Sequence, residues 1–205
     1  MTKRVVILDY GSGNLRSAER ALERAGADVT VTPDLAAAAD ADGLVVPGVG
    51  AFAACMAGVE KIDAGPMIAE RVAAGRPVLG ICVGMQIFFE FGDEHGTVTK
   101  GLGLLPGGVT RLTAERIPHM GWNTVTVPSG SRLMDGMPGD ARFYFVHSYA
   151  ASGLGALGDA LVTTAAHDEP FAAVVERGPL SVAQFHPEKS GDTGARLLRN
   201  WIAGL

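Results

Sequence analysis

VLGICVGMQIFFE, residues 78–90, sets one of the chain's two cysteines between two glycines. An apolar run there gives way to a helix-like segment. Gly80-Ile81-Cys82-Val83-Gly84 has the form small-x-nucleophile-x-small. PVLGIC (77–82) reads as a buried strand, and MQIFFE (85–90) begins a helix. A strand-turn-helix elbow holds a nucleophile on a sharp, strained turn, with glycines nearby so that backbone can approach closely. The elbow places the side chain at the start of the following helix, where backbone N–H groups favour thiolate over thiol. The N–H of Val83 would then face a developing oxyanion. A buried structural cysteine fits the same pattern, and the elbow alone does not decide between the two. Cys55, in AFAACMAGV, has no such setting and reads as a core residue.

Outward from the elbow the first half alternates. RVVILDY (4–10), DVTVT (28–32) and GLVVPG (43–48) are short apolar runs rich in β-branched residues. Leu15, Ala18, Leu22 and Ala25 recur at helical spacing before Gly26, and Asp34 is placed to cap a short helix through Ala39. A further helical stretch through Ile68, Val72 and Ala73 stops at Gly75, with Pro77 just beyond. Strand and helix in alternation predict an α/β fold, a mostly parallel sheet with helices on both faces. The second half changes character. VTRL (109–112), NTVTV (123–127), RFYFVHSY (142–149), ALVTTAA (160–166), FAAVVERG (171–178) and LSVAQFH (180–186) predict added antiparallel strands. A last helix starts at Asp192 or Thr193. No composition shift marks a boundary, so residues 1–205 are expected to form one domain.

Bulk properties remove whole classes of function. The formal net charge is −5 and no Lys/Arg-rich block occurs, so no polyanion partner is suggested. Apolar runs fall well short of the roughly 20 residues of a membrane span. MTKRVVILD runs straight into an acid, unlike a secretory leader. Two cysteines make no disulfide framework, and a reducing, cytoplasmic setting is expected. No two histidines, and no His/Cys pair, have ligand spacing, so neither metal nor cofactor is expected.

A thiol nucleophile needs a base. Among the five histidines, His186 in Gln184-Phe185-His186-Pro187-Glu188 stands out. In extended backbone residues 186 and 188 project to one side. Pro187 keeps residue 186 out of the helical region. Glu188 is then placed to orient the imidazole, as in a nucleophile–His–acid triad. H-P-E alone is weak; an exposed strand-end histidine beside a solvated acid is the commoner occurrence. His95 and His167 lie in polar loops and are expected to be solvated, and His147 in an aromatic strand reads as a satisfied, partly buried histidine. The third element is Pro47-Gly48-Val49-Gly50, a Gly-rich loop at a strand's carboxyl end. It is either an oxyanion donor beside the elbow or an ordinary turn.

Together GICVGMQ, PGVGAF and QFHPEKS resemble the class I (triad-type) glutamine amidotransferases. DYGSGNLRS (9–17), GLGLLPG (101–107), PHMGWN (118–123) and FYFVHSY (143–149) narrow the likeness to the glutaminase subunits of imidazole glycerol phosphate synthases. The match runs in order from about residue 4 to the C terminus, and it implies the family's flavodoxin-like α/β fold. The resemblance implies Cys82, His186 and Glu188 as the triad, with Val49 and Val83 as backbone oxyanion donors. It implies that Gly48, Gln86, Glu94, Ser148 and Tyr149 hold L-glutamine. Asn14, Met120, Trp122, Tyr144 and Lys189 fall on a rim facing a cyclase subunit, a (β/α)8 barrel that receives the ammonia. Taken singly, Trp122 would read equally well as a core tryptophan. Ser12 stands where relatives often have another small residue, and Val83 replaces a commoner Leu.

Other readings remain at this level. The elbow and H-P-E would also serve a glutaminase subunit of an anthranilate or pyridoxal phosphate synthase. A flavodoxin-like redox sensor or binding module can keep an elbow cysteine without catalysis, and a cysteine protease would need a substrate groove for which no feature is seen. If the ammonia exit faces a partner, the isolated chain is expected to be a poor glutaminase, with the Gly48–Gly50 loop resting in an unproductive peptide orientation. Glycine on both sides of Val49 makes a peptide flip sterically cheap.

Overall fold

The computed structural model describes residues 1–205. A seven-stranded sheet forms its centre. Five parallel strands run through β1 (Arg4–Leu8), β2 (Asp28–Thr32), β3 (Gly43–Gly48), β4 (Val78–Cys82) and β13 (Leu180–Ala183), in the spatial order β13-β4-β3-β1-β2. β11 (Leu161–His167) and β12 (Glu169–Arg177) extend it antiparallel beyond β13. β3 and β4 are buried along their whole length, which is why they read as unbroken apolar runs rather than alternating ones. A four-stranded sheet holds β5 (Phe89–Glu94), β6 (Thr97–Lys100), β7 (Leu105–Arg111) and β10 (Tyr149–Ala150). β8 (His119–Thr124) and β9 (Arg142–His147) pair by themselves.

Two helix groups pack around the sheet. α1 (Leu15–Arg24) contacts α6 (Gly191–Ala203), while α4 (Ala64–Ala73) contacts both α2 (Leu35–Asp40) and α3 (Phe52–Lys61). Asp34 caps α2 as expected, its carboxylate accepting from the N–H groups of Ala36 and Ala37. The other end of α2 is closed by Arg71. This buried guanidinium donates to the carbonyls of Ala38, Ala39, Ala41, Asp42 and Pro77, collecting acceptors that a helix end leaves without partners. Burial pushes its pKa down to about 10. Buried apolar side chains form one contiguous cluster of 54 residues. No helix is long and apolar enough to cross a membrane.

Some expected elements shift. The helix after the elbow is a single turn, α5 (Val83–Gln86), and the aromatic run that follows becomes strand β5. Phe88 and Phe89 are fully buried there, and tertiary packing overrides the helix-like start. β8 lies earlier than NTVTV; beyond it Thr126 makes only an isolated bridge to Thr164. α6 begins at Gly191 with Ser190 before it.

The register explains where a site must form. Gly48 pairs with Cys82 across β3 and β4, and Ala183 pairs with Ile81 across β13 and β4. The loops leaving β3, β4 and β13 therefore emerge side by side at the carboxyl edge of the sheet, where open α/β sheets bind ligands. These are the PGVG loop, the cysteine elbow and the QFHPE segment.

Candidate active site

Cys82 has φ 57° and ψ −118°, one of four non-glycine residues at positive φ. A side chain bearing a Cβ rarely sits there, and such strain persists only where its surroundings impose it. The surroundings here are glycines in contact. A Cβ added at Gly84 would lie 2.0 Å from the Val46 carbonyl oxygen, one at Gly48 2.3 Å from the Gly84 nitrogen, and one at Gly80 2.7 Å from the Gly84 oxygen. These three glycines serve close backbone approach, and the strained dihedral belongs to the cysteine.

His186 and Glu188 meet as expected, but not on extended backbone: only His186 is extended, and Glu188 sits in a 3-10 turn over Pro187–Lys189 that folds it back to the imidazole. His186 Nδ1 lies 2.8 Å from Glu188 Oε1, with both side chains almost wholly buried. The turn that carries them is clasped to β9. The His186 N–H donates to the Tyr144 carbonyl at 3.0 Å, and the Tyr144 N–H donates to Ser190 Oγ at 3.0 Å. Ser190 Oγ in turn donates to the His186 carbonyl at 2.7 Å. Burial alone would lower the His186 pKa; hydrogen bonding and charge from Cys82 and Glu188 outweigh it and push it up to about 9. The second Glu188 oxygen, Oε2, is buried without a partner.

A cleft of about 260 Å³ joins these groups. Cys82, His186, Val49 and Val83 line it together with Gln86, Glu94, Ser148 and Tyr149. Lys189, His147 and Val146 also reach it. Gly48 and Asn14 instead border a small adjoining space beside His186 and Glu188. Within the cleft the Gln86 amide donates to the Tyr149 carbonyl at 2.9 Å and to Gln184 Oε1 at 3.0 Å, while its own Oε1 is buried and unpartnered. Glu94 Oε2 accepts from the Phe52 N–H at the start of α3.

The PGVG loop is tied backward. The Val49 N–H donates to Ser12 Oγ at 3.1 Å, and Ser12 Oγ donates to the Val49 carbonyl at 3.0 Å. Cys55 lies behind it, its sulfur 3.2 Å from Ser12 Oγ and 3.5 Å from the Val49 oxygen. Tyr10 Oη donates to the Pro47 carbonyl in the same cluster. Burial raises the pKa of both the Tyr10 phenol and the Cys55 thiol, so both remain protonated near neutral pH.

Met120 and Trp122 are 64% and 53% exposed on β8, so Trp122 is a surface residue and not a core one. It pairs edge-to-face with Tyr144 across the two-stranded ribbon. Lys189 is exposed. One histidine expectation changes: His167 is only half exposed, stacking on His119 and contacting the Arg116 carbonyl, whereas His95 is exposed as expected. Ser190, Gln184 and the contacts of Ser12 went unread in the sequence, because each acts across more than 30 residues of separation or through a backbone group, which leaves no periodic signal.

The chain matches the family described as glutamine amidotransferase class-I over residues 6–204. It belongs to the class I glutamine amidotransferase family. This amidotransferase is 64% identical over 203 residues to a Mycobacterium bovis protein named imidazole glycerol phosphate synthase subunit HisH, with 99% of this chain and 98% of that one covered. Proteins of the same name from Mycobacterium leprae and Streptomyces avermitilis are 61% and 58% identical, covering 100% and 99% of this chain and 99% and 97% of theirs. Among solved structures, PurLQS from Thermotoga maritima superposes with a TM-score of 0.77 at 18% identity, covering 100% of this chain and 99% of that one. A Trypanosoma brucei CTPS glutaminase domain with bound acivicin gives 0.70 at 16%, covering 98% and 93%. At such identities these two speak for the fold. The chain is thus a glutamine amidotransferase enzyme whose relatives, matched over their full length, share the name imidazole glycerol phosphate synthase subunit HisH.

Proposed function

We propose that this amidotransferase is the glutaminase subunit of an imidazole glycerol phosphate synthase, acting in the cytoplasm as a single domain over residues 1–205. The observation that carries the proposal is the Cys82 elbow at positive φ sharing one cleft with the buried His186–Glu188 pair. The relatives' common name supplies the pathway.

In this reading the Cys82 thiolate attacks the side-chain amide carbon of L-glutamine. The N–H groups of Val83 and Val49 hold the tetrahedral oxyanion. His186, held by Glu188, gives its proton to the departing nitrogen, and ammonia leaves with a glutamyl thioester on Cys82. His186 then takes a proton from water as its oxygen attacks the thioester carbon. Glutamate departs and the thiolate returns. Gln86, Glu94, Ser148 and Tyr149 surround the amino-acid end of the substrate, while Gly48, outside the cleft, carries the loop that presents Val49. Ammonia passes to a cyclase subunit, a (β/α)8 barrel seated on Asn14, Met120, Trp122, Tyr144 and Lys189. Exposed aromatic and Met side chains of this kind are what interface centres collect. Because the Val49 N–H is bonded to Ser12, it is not available to an oxyanion until that bond breaks. Partner binding supplies the bias.

Glutamate release from glutamine by the purified chain, alone and with a cyclase subunit and its nucleotide ligand, tests this. Low release alone and a steep rise with both supports it. Equal release throughout removes the coupling, and none under any condition returns Cys82 to a non-catalytic role.

A further inference from the structure

Three histidines that the triad does not use gather beside the cleft. His119 and His147 are buried, and His167 stacks on His119 with ring centres 4.4 Å apart. Along β8 the residues alternate. Met120 and Trp122 face outward, while His119 is buried and Asn123 is half-buried. His119 lies opposite His147 on β9.

The hydrogen bonds among these groups admit one assignment of protons, fixed from both ends. At one end, Asn123 Nδ2 lies 2.9 Å from the Ala166 carbonyl, which only accepts, so this atom is the amide NH2. Asn123 Nδ2 is also 3.2 Å from His119 Nε2, which must then accept. A neutral His119 accordingly carries its proton on Nδ1 and donates to His147 Nε2 at 2.9 Å. At the other end, His147 Nδ1 lies 3.0 Å from the Tyr149 carbonyl, again acceptor only, so Nδ1 carries the proton and Nε2 accepts. The two derivations agree at the His119–His147 bond. The same Tyr149 carbonyl receives the Gln86 amide, whose second proton goes to Gln184. Gln86 is thereby fixed with its NH2 turned into the protein. Its Oε1, buried and unpartnered, is left to accept an N–H from a ligand in the cleft.

We propose that His119 is a positioning residue for substrate: through His147 and the Tyr149 carbonyl it sets the Gln86 amide, and so joins the inner face of β8 to recognition of the amino-acid ligand. The relay explains a polar chain inside an aromatic cluster of Phe145 and Phe171, where unpaired polar groups are costly. It also joins glutamine affinity to the strand whose outer face carries Met120 and Trp122. The proposal rests on the glutaminase reading for its ligand, but the proton assignment stands apart from it.

Two measurements test it. Long-range 15N–1H correlation spectra of the labelled full chain near neutral pH are expected to show both His119 and His147 protonated on Nδ1. An Nε2-protonated His147 overturns the relay, whatever the enzyme does. In the complex with the cyclase, His119→Phe keeps the aromatic stack but removes the donor. Its KM for glutamine is expected to rise about fivefold to tenfold, with kcat within about twofold and unchanged alkylation of Cys82 by iodoacetamide. His119→Asn places an N–H near the Nδ1 position and is expected to bring KM back to within about twofold of wild type. An unchanged KM in His119→Phe, or no recovery in His119→Asn, contradicts the proposal. If His119→Phe does not fold, His119→Asn and the spectra still decide. A wild-type complex without turnover would sink the glutaminase reading and leave the spectra to judge the relay.

Discussion

The backbone N–H of Val49 points to the hydroxyl of Ser12, 3.1 Å away, and that hydroxyl in turn donates to the Val49 carbonyl. One side chain thus holds both polar groups of the residue expected to stabilise the oxyanion. Ser12→Ala removes the hold while leaving the cleft's own side chains in place. Glutamate release by the chain alone should rise roughly tenfold, in line with one oxyanion donor being worth about a hundredfold or more when fully placed. The stimulation given by the cyclase should shrink in proportion. Unchanged partner-free release in Ser12→Ala would show that the bond is not what restrains the loop.

Ser190 holds the His186 turn against β9, with two hydrogen bonds made by one buried hydroxyl. Ser190→Ala leaves the Tyr144 N–H without its acceptor. The expected loss is about 1–3 kcal/mol of stability, seen as a Tm lower by roughly 2–10 °C for a chain of this size. Small displacement of a catalytic base is expensive, so kcat should fall by at least about tenfold. Wild-type kcat in this variant would show that the clasp does not set the base.

The glycine at 84 is required by contact. Gly84→Ala would bring a methyl 2.0 Å from the Val46 oxygen, a backbone atom that cannot swing aside. Overpacking of this kind costs about 1–3 kcal/mol or more, and calorimetry should show a clear drop in Tm. Gly139→Ala, with open space around it and no positive φ, is the control and should leave Tm within about a degree.

Proton linkage runs in two directions. His186 has its pKa raised from 6.5 to about 9, burial being outweighed by Cys82 and Glu188. The folded chain keeps a proton that the unfolded chain sheds, so this contribution is complete below about pH 6.5 and is lost as pH rises through 9. His119 and His147 are pushed down from 6.5 to about 4 and about 3, chiefly by burial. The unfolded chain takes up protons there that the folded chain refuses. Their contribution is present above about pH 6.5 and is lost as pH falls toward 4 and then 3. Urea midpoints across this range should fall on both sides. His186→Ala should flatten the alkaline limb, and His119→Phe the acid one.

Much of the fold was legible because parallel buried strands and short joints leave strong local signs. The apolar run before Cys82, the Asp34 cap and the stop at Gly75 all name their elements directly. The segment after the elbow was not legible. Phe88 and Phe89 are fully buried, Phe88 beside Gly80 of β4, and Phe89 opens a strand of the four-stranded sheet, which no local pattern reveals. In the candidate site the elbow strain at Cys82 follows from a short-range backbone rule, whereas residues 186 and 188 meet through a 3-10 turn over Pro187–Lys189 and not through the extended strand read from the sequence. What holds those motifs follows from no such rule. Ser12 reaches a residue 37 positions away, and Gln86 reaches one 98 positions away. Such partners are chosen by topology, and single residues carry no mark of them.

The central claim is that Cys82, and not Cys55, attacks a glutamine-like carbon with help from its cleft. The most direct measurement is peptide mass spectrometry of the chain in complex with the cyclase after exposure to a glutamine-like electrophile, which the cleft should steer to its nucleophile. The account predicts one adduct per chain, on Cys82 alone, slowed by excess glutamine. An adduct on Cys55, or none while the complex is turning over glutamine, would contradict it.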